Sequence, residues 1–162
     1  MSRIKDLQKQ VHKVLNRMDD DEKRAKAIDH LHGVSLAAVI LAKKRGEDPE
    51  LAAMAGLLHD LYAYKSGSYD DHAHLGAEYA QEILEKLDMT SPAETAVICG
   101  AIRHHDSKDD TDGPMDEILK DADVLHHSLG DPTKEVKEHE RERYEKLCRE
   151  LGIGADGQYN PL

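Results

Sequence analysis

Apolar residues recur along this chain at three- and four-residue intervals, the spacing that gathers them on one side of an α-helix. Ile4, Leu7, Val11, Val14, Leu15 and Met18 form the first stripe; Ile83, Leu84 and Leu87 close another, and Val97, Ile98, Ala101 and Ile102 make a third. No segment alternates as a strand would. Proline is favoured at the first helical position, where its missing N–H costs nothing and a preceding Asp or Ser caps the free amides. Asp48-Pro49, Ser91-Pro92 and Asp131-Pro132 have this form, and Gly113-Pro114 is a weaker version. Gly46, Gly130 and Gly152 stand where C-terminal caps belong. The pattern predicts helices over 3–18, 22–45, 49–61, 71–87, 92–105, 114–129 and 132–151, followed by an irregular tail, GIGADGQYNPL, read as surface or an interaction arm. The expected class is all-α, a single-domain bundle of about six to seven helices.

Length agrees with one domain. A chain of 162 residues is large enough to bury about two-thirds of the surface its unfolded form exposes around a single core. The sequence shows no apolar run of membrane-spanning length, and MSRIKDLQKQ lacks the apolar centre of a secretory signal. The expectation is a cytoplasmic protein with no membrane partner. Cys99 and Cys148 follow no metal or disulfide spacing and read as thiols of a reducing compartment. A formal net charge of -11 argues against a nucleic-acid polymer or an anionic membrane, which need basic patches. It leaves a small anionic substrate open, since a bound cation reverses the local field. The 11 His residues in so acidic a chain direct attention to a metal site.

The segment ELAAMAGLLHDLY is apolar on every side from Leu51 to Leu58, the mark of a helix in the middle of a domain. His59 and Asp60 end it. An ionised Asp in such a place is costly unless compensated, and a divalent cation or a hydrogen-bonded core pair would do so. Other histidines face the same way. His30 shares a stripe with Ala27, Val34, Ala37 and Leu41; His72 aligns with Leu75, Gly76, Tyr79 and Ile83, whereas His74 aligns with Glu78, Gln81 and Glu85 and faces water. His32, with Ile28, Ser35, Leu36 and Val39, stays open on periodicity alone. His104 and His105 follow Val97 and Ala101, and Ile98 and Ile102, so faces do not separate them. Asp123 lies in LKDADVL, with Asp121 as a rival. Mixed nitrogen and oxygen donors suit Fe, Mn, Co, Ni or Zn better than Mg or Ca alone, and the lack of Cys ligands argues against structural zinc.

In this order and spacing the residues resemble the HD-domain superfamily of metal-dependent phosphohydrolases. His30 has Val34 four residues on, His59-Asp60 follows 29 residues after His30, and His72 precedes Gly76-Ala77. AIRHH and Ala122-Asp123 with Leu125 complete the set. The resemblance covers roughly residues 25–130, with 1–24 a helical extension and 131–162 a C-terminal helix and tail packed on the same domain. It implies that His30, His59, Asp60 and Asp123 hold a first divalent ion and that Asp60 bridges to a second. His72 and one of His104 and His105 would complete the second site; His105 is preferred, three residues after Ile102 as in relatives. One or two transition-metal ions are implied, with Mg admitted. The Gly-Tyr-Pro signature of cyclic-dinucleotide phosphodiesterases is missing.

The resemblance implies hydrolysis of a small phosphate ester or nucleotide by metal-activated water. Lys65 and Arg103, the basic residues nearest the motifs, are candidates to steady a phosphate, with Lys120 a weaker one. Tyr62, Tyr64 and Tyr69 lie in YAYKSGSYDD, a segment expected to be a loop that either covers the pocket or simply connects two helices. Two rivals share the ligand set: a di-iron oxygenase and a regulatory or binding HD domain. The charged ends would serve a homo-oligomer or a partner, or simply a solvated face.

Overall fold

The computed structural model describes residues 2–155, and among them the chain is all-helical. Its helices are α1 (Arg3–Leu15), α2 (Asp21–Arg45), α3 (Pro49–Leu58), α4 (Leu61–Ser66), α5 (His72–Leu87), α6 (Pro92–His104), α7 (Pro114–Leu129) and α8 (Arg141–Leu151), with a 3-10 turn at Glu138–Glu140 before α8. Local chemistry accounts for most boundaries. Asp48 caps α3 by accepting from Glu50 N and Leu51 N, and Ser91 and Glu94 form a reciprocal capping box on α6, each with proline in the first turn. Gly46 and Gly152 end α2 and α8 in the left-handed conformation.

The central helix is α3, whose residues Leu51 to Leu58 are all buried. It packs most closely against α2. A Cβ on Gly56 would stand 2.6 Å from Ser35 Cα and 2.7 Å from Ser35 N, so only glycine admits this approach. Ser35 Oγ donates to Ala53 O across the same contact at 2.9 Å. By length and composition α2 could cross a membrane, with a hydropathy of 1.3 over its apolar window, which corrects the expectation that no such run exists. Here its Ala27, Leu31, Val34, Ala38, Leu41 and Ala42 are buried in the core that α3 and α7 complete.

Three stretches depart from the sequence pattern. The helix expected over 49–61 stops at Leu58, because His59 turns its Nδ1 onto Gly56 O at 2.7 Å and Asp60 adopts φ -113°, ψ 5°. The chain restarts as α4, so the segment expected to loop is helical as far as Ser66. The helix expected over 132–151 begins only at Arg141. Asp131 spends its Oδ1 on Thr133 N and Thr133 Oγ1, and Lys134 N bonds to Asp131 O; the result is a turn that does not propagate. The expected tail is described only as far as Ala155, and the remainder lies outside the described residues.

Candidate metal centre

Six side chains from five helices or their ends converge at one place. His30 comes from the middle of α2, His59 and Asp60 from the α3–α4 break, His72 from the first residue of α5, His105 from the C-cap of α6 and Asp123 from the third turn of α7. The break has a geometric purpose. Consecutive residues on a continuous helix point about 100° apart, but here His59 and Asp60 enter the same cleft, with His59 Nε2 3.4 Å from Asp60 Oδ2.

The donors fall into two clusters that share Asp60. In the first, His30, His59, Asp60 and Asp123 bring their ligand atoms within 4.8 Å of one another, and in the second Asp60, His72 and His105 do the same. His30 Nε2 lies 3.3 Å from Asp60 Oδ2 and 3.2 Å from Asp123 Oδ1. The other Asp60 oxygen, Oδ1, lies 3.3 Å from His105 Nε2 and 3.5 Å from His72 Nε2.

Every one of these imidazoles is anchored through the nitrogen that faces away. His59 Nδ1 donates to Gly56 O at 2.7 Å, His105 Nδ1 to Ile102 O at 2.6 Å and His72 Nδ1 to Tyr69 O at 2.9 Å. A carbonyl can only accept, so each Nδ1 carries a proton and Nε2 faces the cluster, where its lone pair serves a cation once any proton held there is displaced. His30 Nδ1 meets His126 Nδ1 at 2.8 Å and, by donating there, takes the same orientation. Outer partners of this kind fix ligand imidazoles in metal sites.

The two carboxylates supply a direct test of fit. Asp60 Oδ1 and Asp123 Oδ1 are buried and accept no hydrogen bond, although imidazole nitrogens surround them. A buried carboxylate oxygen without a partner is costly, and both orphaned atoms point where the Nε2 lone pairs converge. A divalent cation held by such a cluster would satisfy its oxygens and nitrogens together. The ionisation of the residues agrees. Burial disfavours charge on Asp60 and Asp123, yet His59 and His105 around the first and His30 and His59 around the second hold both well below the usual carboxylate range. Burial likewise works against protonation of His59, but Asp60 and Asp123 outweigh it and hold its pKa up at about 10.

The clusters form the floor of a cleft of about 630 Å³. Tyr64 and Tyr69 line it, along with Lys108, His126 and His127, whereas Tyr62 packs against Tyr79, ring centroids 6.0 Å apart. The other candidates lie elsewhere. His104 is half-exposed and bonds through Nδ1 to Asp116 Oδ1 at 2.9 Å, in neither cluster. Lys65 rests its ammonium over the Tyr79 ring, 4.3 Å from the centroid, and Arg103 is exposed; neither lines the cleft. Lys120 is fully buried and committed to Asp110 O, Asp112 and Glu117. His32 pairs with His12, Nε2 to Nε2 at 2.8 Å, and the rival Asp121 is taken by Arg45 and Arg143.

Three cleft residues escape a reading of stripes alone. His127, four residues after Asp123, stacks on His30 with ring centroids 5.3 Å apart and bonds through Nδ1 to the buried Glu140 at 3.0 Å. His126 stands behind His30, and Lys108 contacts Asp123. The signal for the two histidines was the helical offset of three and four from Asp123, whereas Lys108 lies in a non-helical connection that gives no such signal.

Comparison with known proteins places this geometry. A profile of the HD domain matches residues 27–128. Ribonuclease Y of Clostridium tetani is 29% identical over 121 residues, 74% of this chain and 21% of that protein. Ribonuclease Y of Listeria welshimeri is 30% identical over 131 residues, 80% of this chain and 23% of that protein. The chain therefore spans less than a quarter of the length of these relatives. A crystal structure of a predicted HD superfamily hydrolase from an uncultured Thermotogales bacterium shares the fold, with a TM-score of 0.62 at 23% identity over 91% of this chain and 88% of that one.

Proposed function

This chain belongs to the HD-domain family, and from that premise we propose that it is a metal-dependent phosphohydrolase acting on a small phosphate ester or nucleotide. The observation that carries the reading is the division of Asp60, one oxygen in each cluster, with Asp60 Oδ1 and Asp123 Oδ1 buried and unpartnered. Two ions sharing a carboxylate clamp attacking and leaving oxygens of an in-line displacement, an arrangement common to phosphatases and nucleases.

His30, His59, Asp60 and Asp123 would hold the first ion, and Asp60, His72 and His105 the second. Bound there, divalent cations supply Lewis acidity and make water nucleophilic near neutral pH. The chain's own work is geometric: the Gly56, Ile102 and Tyr69 carbonyls keep three rings aimed, and the apolar bed of α3 excludes water behind them. His104, Lys65 and Arg103 take no part in this reading, because none of them reaches the clusters or the cleft.

The experiment is a hydrolysis screen of nucleotides, simple phosphomonoesters and short RNA with Mn, Fe, Co, Ni, Zn and Mg, paired with elemental analysis of the protein as purified. The ribonuclease Y relatives justify including RNA. Phosphate release that depends on added metal and disappears in His59→Ala supports the reading. Iron with oxygen consumption and no phosphate release would favour the oxygenase, and a protein that binds no metal would favour a regulatory domain.

A further inference from the structure

Lys65 and Arg103 lie outside the cleft, yet one lysine is built into its wall. Lys108 sits in the connection between α6 and α7, and its Nζ donates to Asp123 Oδ2 at 2.8 Å and to His105 O at 2.8 Å. An ammonium carries three protons, so one remains uncommitted, and Lys108 lines the cleft. Its side chain is only 9% exposed. Arg143 of α8 holds the backbone at that point, donating from Nη2 to Lys108 O at 2.7 Å, and is itself fixed by Glu117 and Asp121 at 3.0 and 2.9 Å.

We propose that Lys108 is the residue that binds a non-bridging oxygen of the substrate's phosphate, an assignment that rests on the phosphohydrolase reading. Asp123 explains the placement. Its Oδ2 is occupied by Lys108, which leaves Oδ1 alone to face the cluster, so one carboxylate fixes both the cation site and the ammonium beside it. With two of its protons committed to Asp123 and His105 O, Lys108 would offer its third to a phosphate oxygen seated over the first cluster.

The other cations of the cleft are less suited. Lys26 and Lys134 are about three-quarters exposed and paired with Glu22 and Asp131, so they are mobile and hydrated, and Lys137 is exposed. A charge-assisted hydrogen bond gains most where the donor is already dehydrated and held in place. The carboxylates Asp29, Asp106 and Asp109 also line the cleft and repel an anion, which makes a fixed cation beside the first cluster more necessary.

The test measures inorganic phosphate binding to the metal-loaded full chain by titration calorimetry, for wild type, Lys108→Met and Lys108→Arg, with metal content per chain on the same samples. Loss of one charge-assisted bond predicts that Lys108→Met keeps the wild-type metal content and binds phosphate about tenfold more weakly or worse. Lys108→Arg should recover part of that loss. Equal phosphate affinity in wild type and Lys108→Met overturns the assignment and leaves Lys108 as a counter-charge to Asp123. Loss of metal from Lys108→Met also overturns it, in favour of a role in shaping Asp123. If the wild type hydrolyses esters in either case, the phosphohydrolase reading survives; a wild type that neither hydrolyses esters nor binds phosphate ends both.

Discussion

Asp60 and His105 meet at 3.3 Å through Oδ1 and Nε2, while the second oxygen of the same carboxylate lies 3.3 Å from His30. Asp60 is thus the one side chain common to both clusters. Asp60→Asn, which keeps size and loses charge, should empty both sites, whereas His72→Ala should spare the first. Elemental analysis after equilibration with Mn or Zn should read close to no metal for Asp60→Asn and an undiminished first site for His72→Ala. Full occupancy in Asp60→Asn would remove the bridge from the account.

Two histidines two residues apart on α5 offer a sharper comparison. His72 points Nε2 at Asp60; His74 is half-exposed and pairs with Glu78 at 3.1 Å on the solvent side of α5. His74→Ala should leave hydrolysis within about twofold of wild type, since an exposed pair of this kind contributes at most about 1 kcal/mol. His72→Ala should lower it by an order of magnitude or more, as loss of an oriented ligand does. Equal rates for the two variants would defeat the placement.

Protons and cations compete for His59. Without metal its pKa is held up at about 10, above the unfolded value of 6.5, so its contribution to apoprotein stability is present below 6.5 and fades as pH rises toward 10. Metal binding requires the neutral ring and must expel that proton. The rise in melting temperature on adding metal should therefore grow between pH 6 and pH 8, and calorimetry in buffers of different ionisation enthalpy should record net proton release. A metal-induced shift that shrinks over this range would contradict the assignment of His59.

Gly56 predicts a purely structural effect. Alanine is the better helix former by about 0.5–1 kcal/mol, but its Cβ would strike the Ser35 backbone at 2.6 Å, and backbone cannot swing aside as a long side chain can. Overpacking of this kind costs about 1–3 kcal/mol, so Gly56→Ala should lower stability in denaturant melts. Gly67→Ala strains the backbone at φ 73° but meets no atom within 4 Å. It should cost less.

What the sequence displayed and what it hid have physical reasons. The apolar stripes, the Asp48 and Ser91 caps and the buried α3 were legible because each is a local property of neighbouring residues. The ordered His and Asp motifs also pointed to one place, and the structure gathers His30, His59, Asp60, His72, His105 and Asp123 there. The break after Leu58 was hidden: His59 bonding to Gly56 O defeats a pattern that would otherwise continue. Nearness in sequence misled for Lys65 and Arg103, since a residue beside a motif on a helix can project anywhere around the axis. Lys108 lies three positions beyond His105 but reaches the cleft through a non-helical connection, where periodicity has nothing to say.

The hold of Arg143 on the Lys108 carbonyl has a consequence for how this molecule can be divided. The matched family region closes at residue 128, and every donor of the two clusters lies inside it. Yet the partners of Lys108 and His127, namely Arg143 and Glu140, lie beyond it. A fragment cut at that boundary would retain all its ligands while losing the bracing of one wall, so grafting the donor set alone would transfer affinity for a cation without the shape that lets a substrate settle over it.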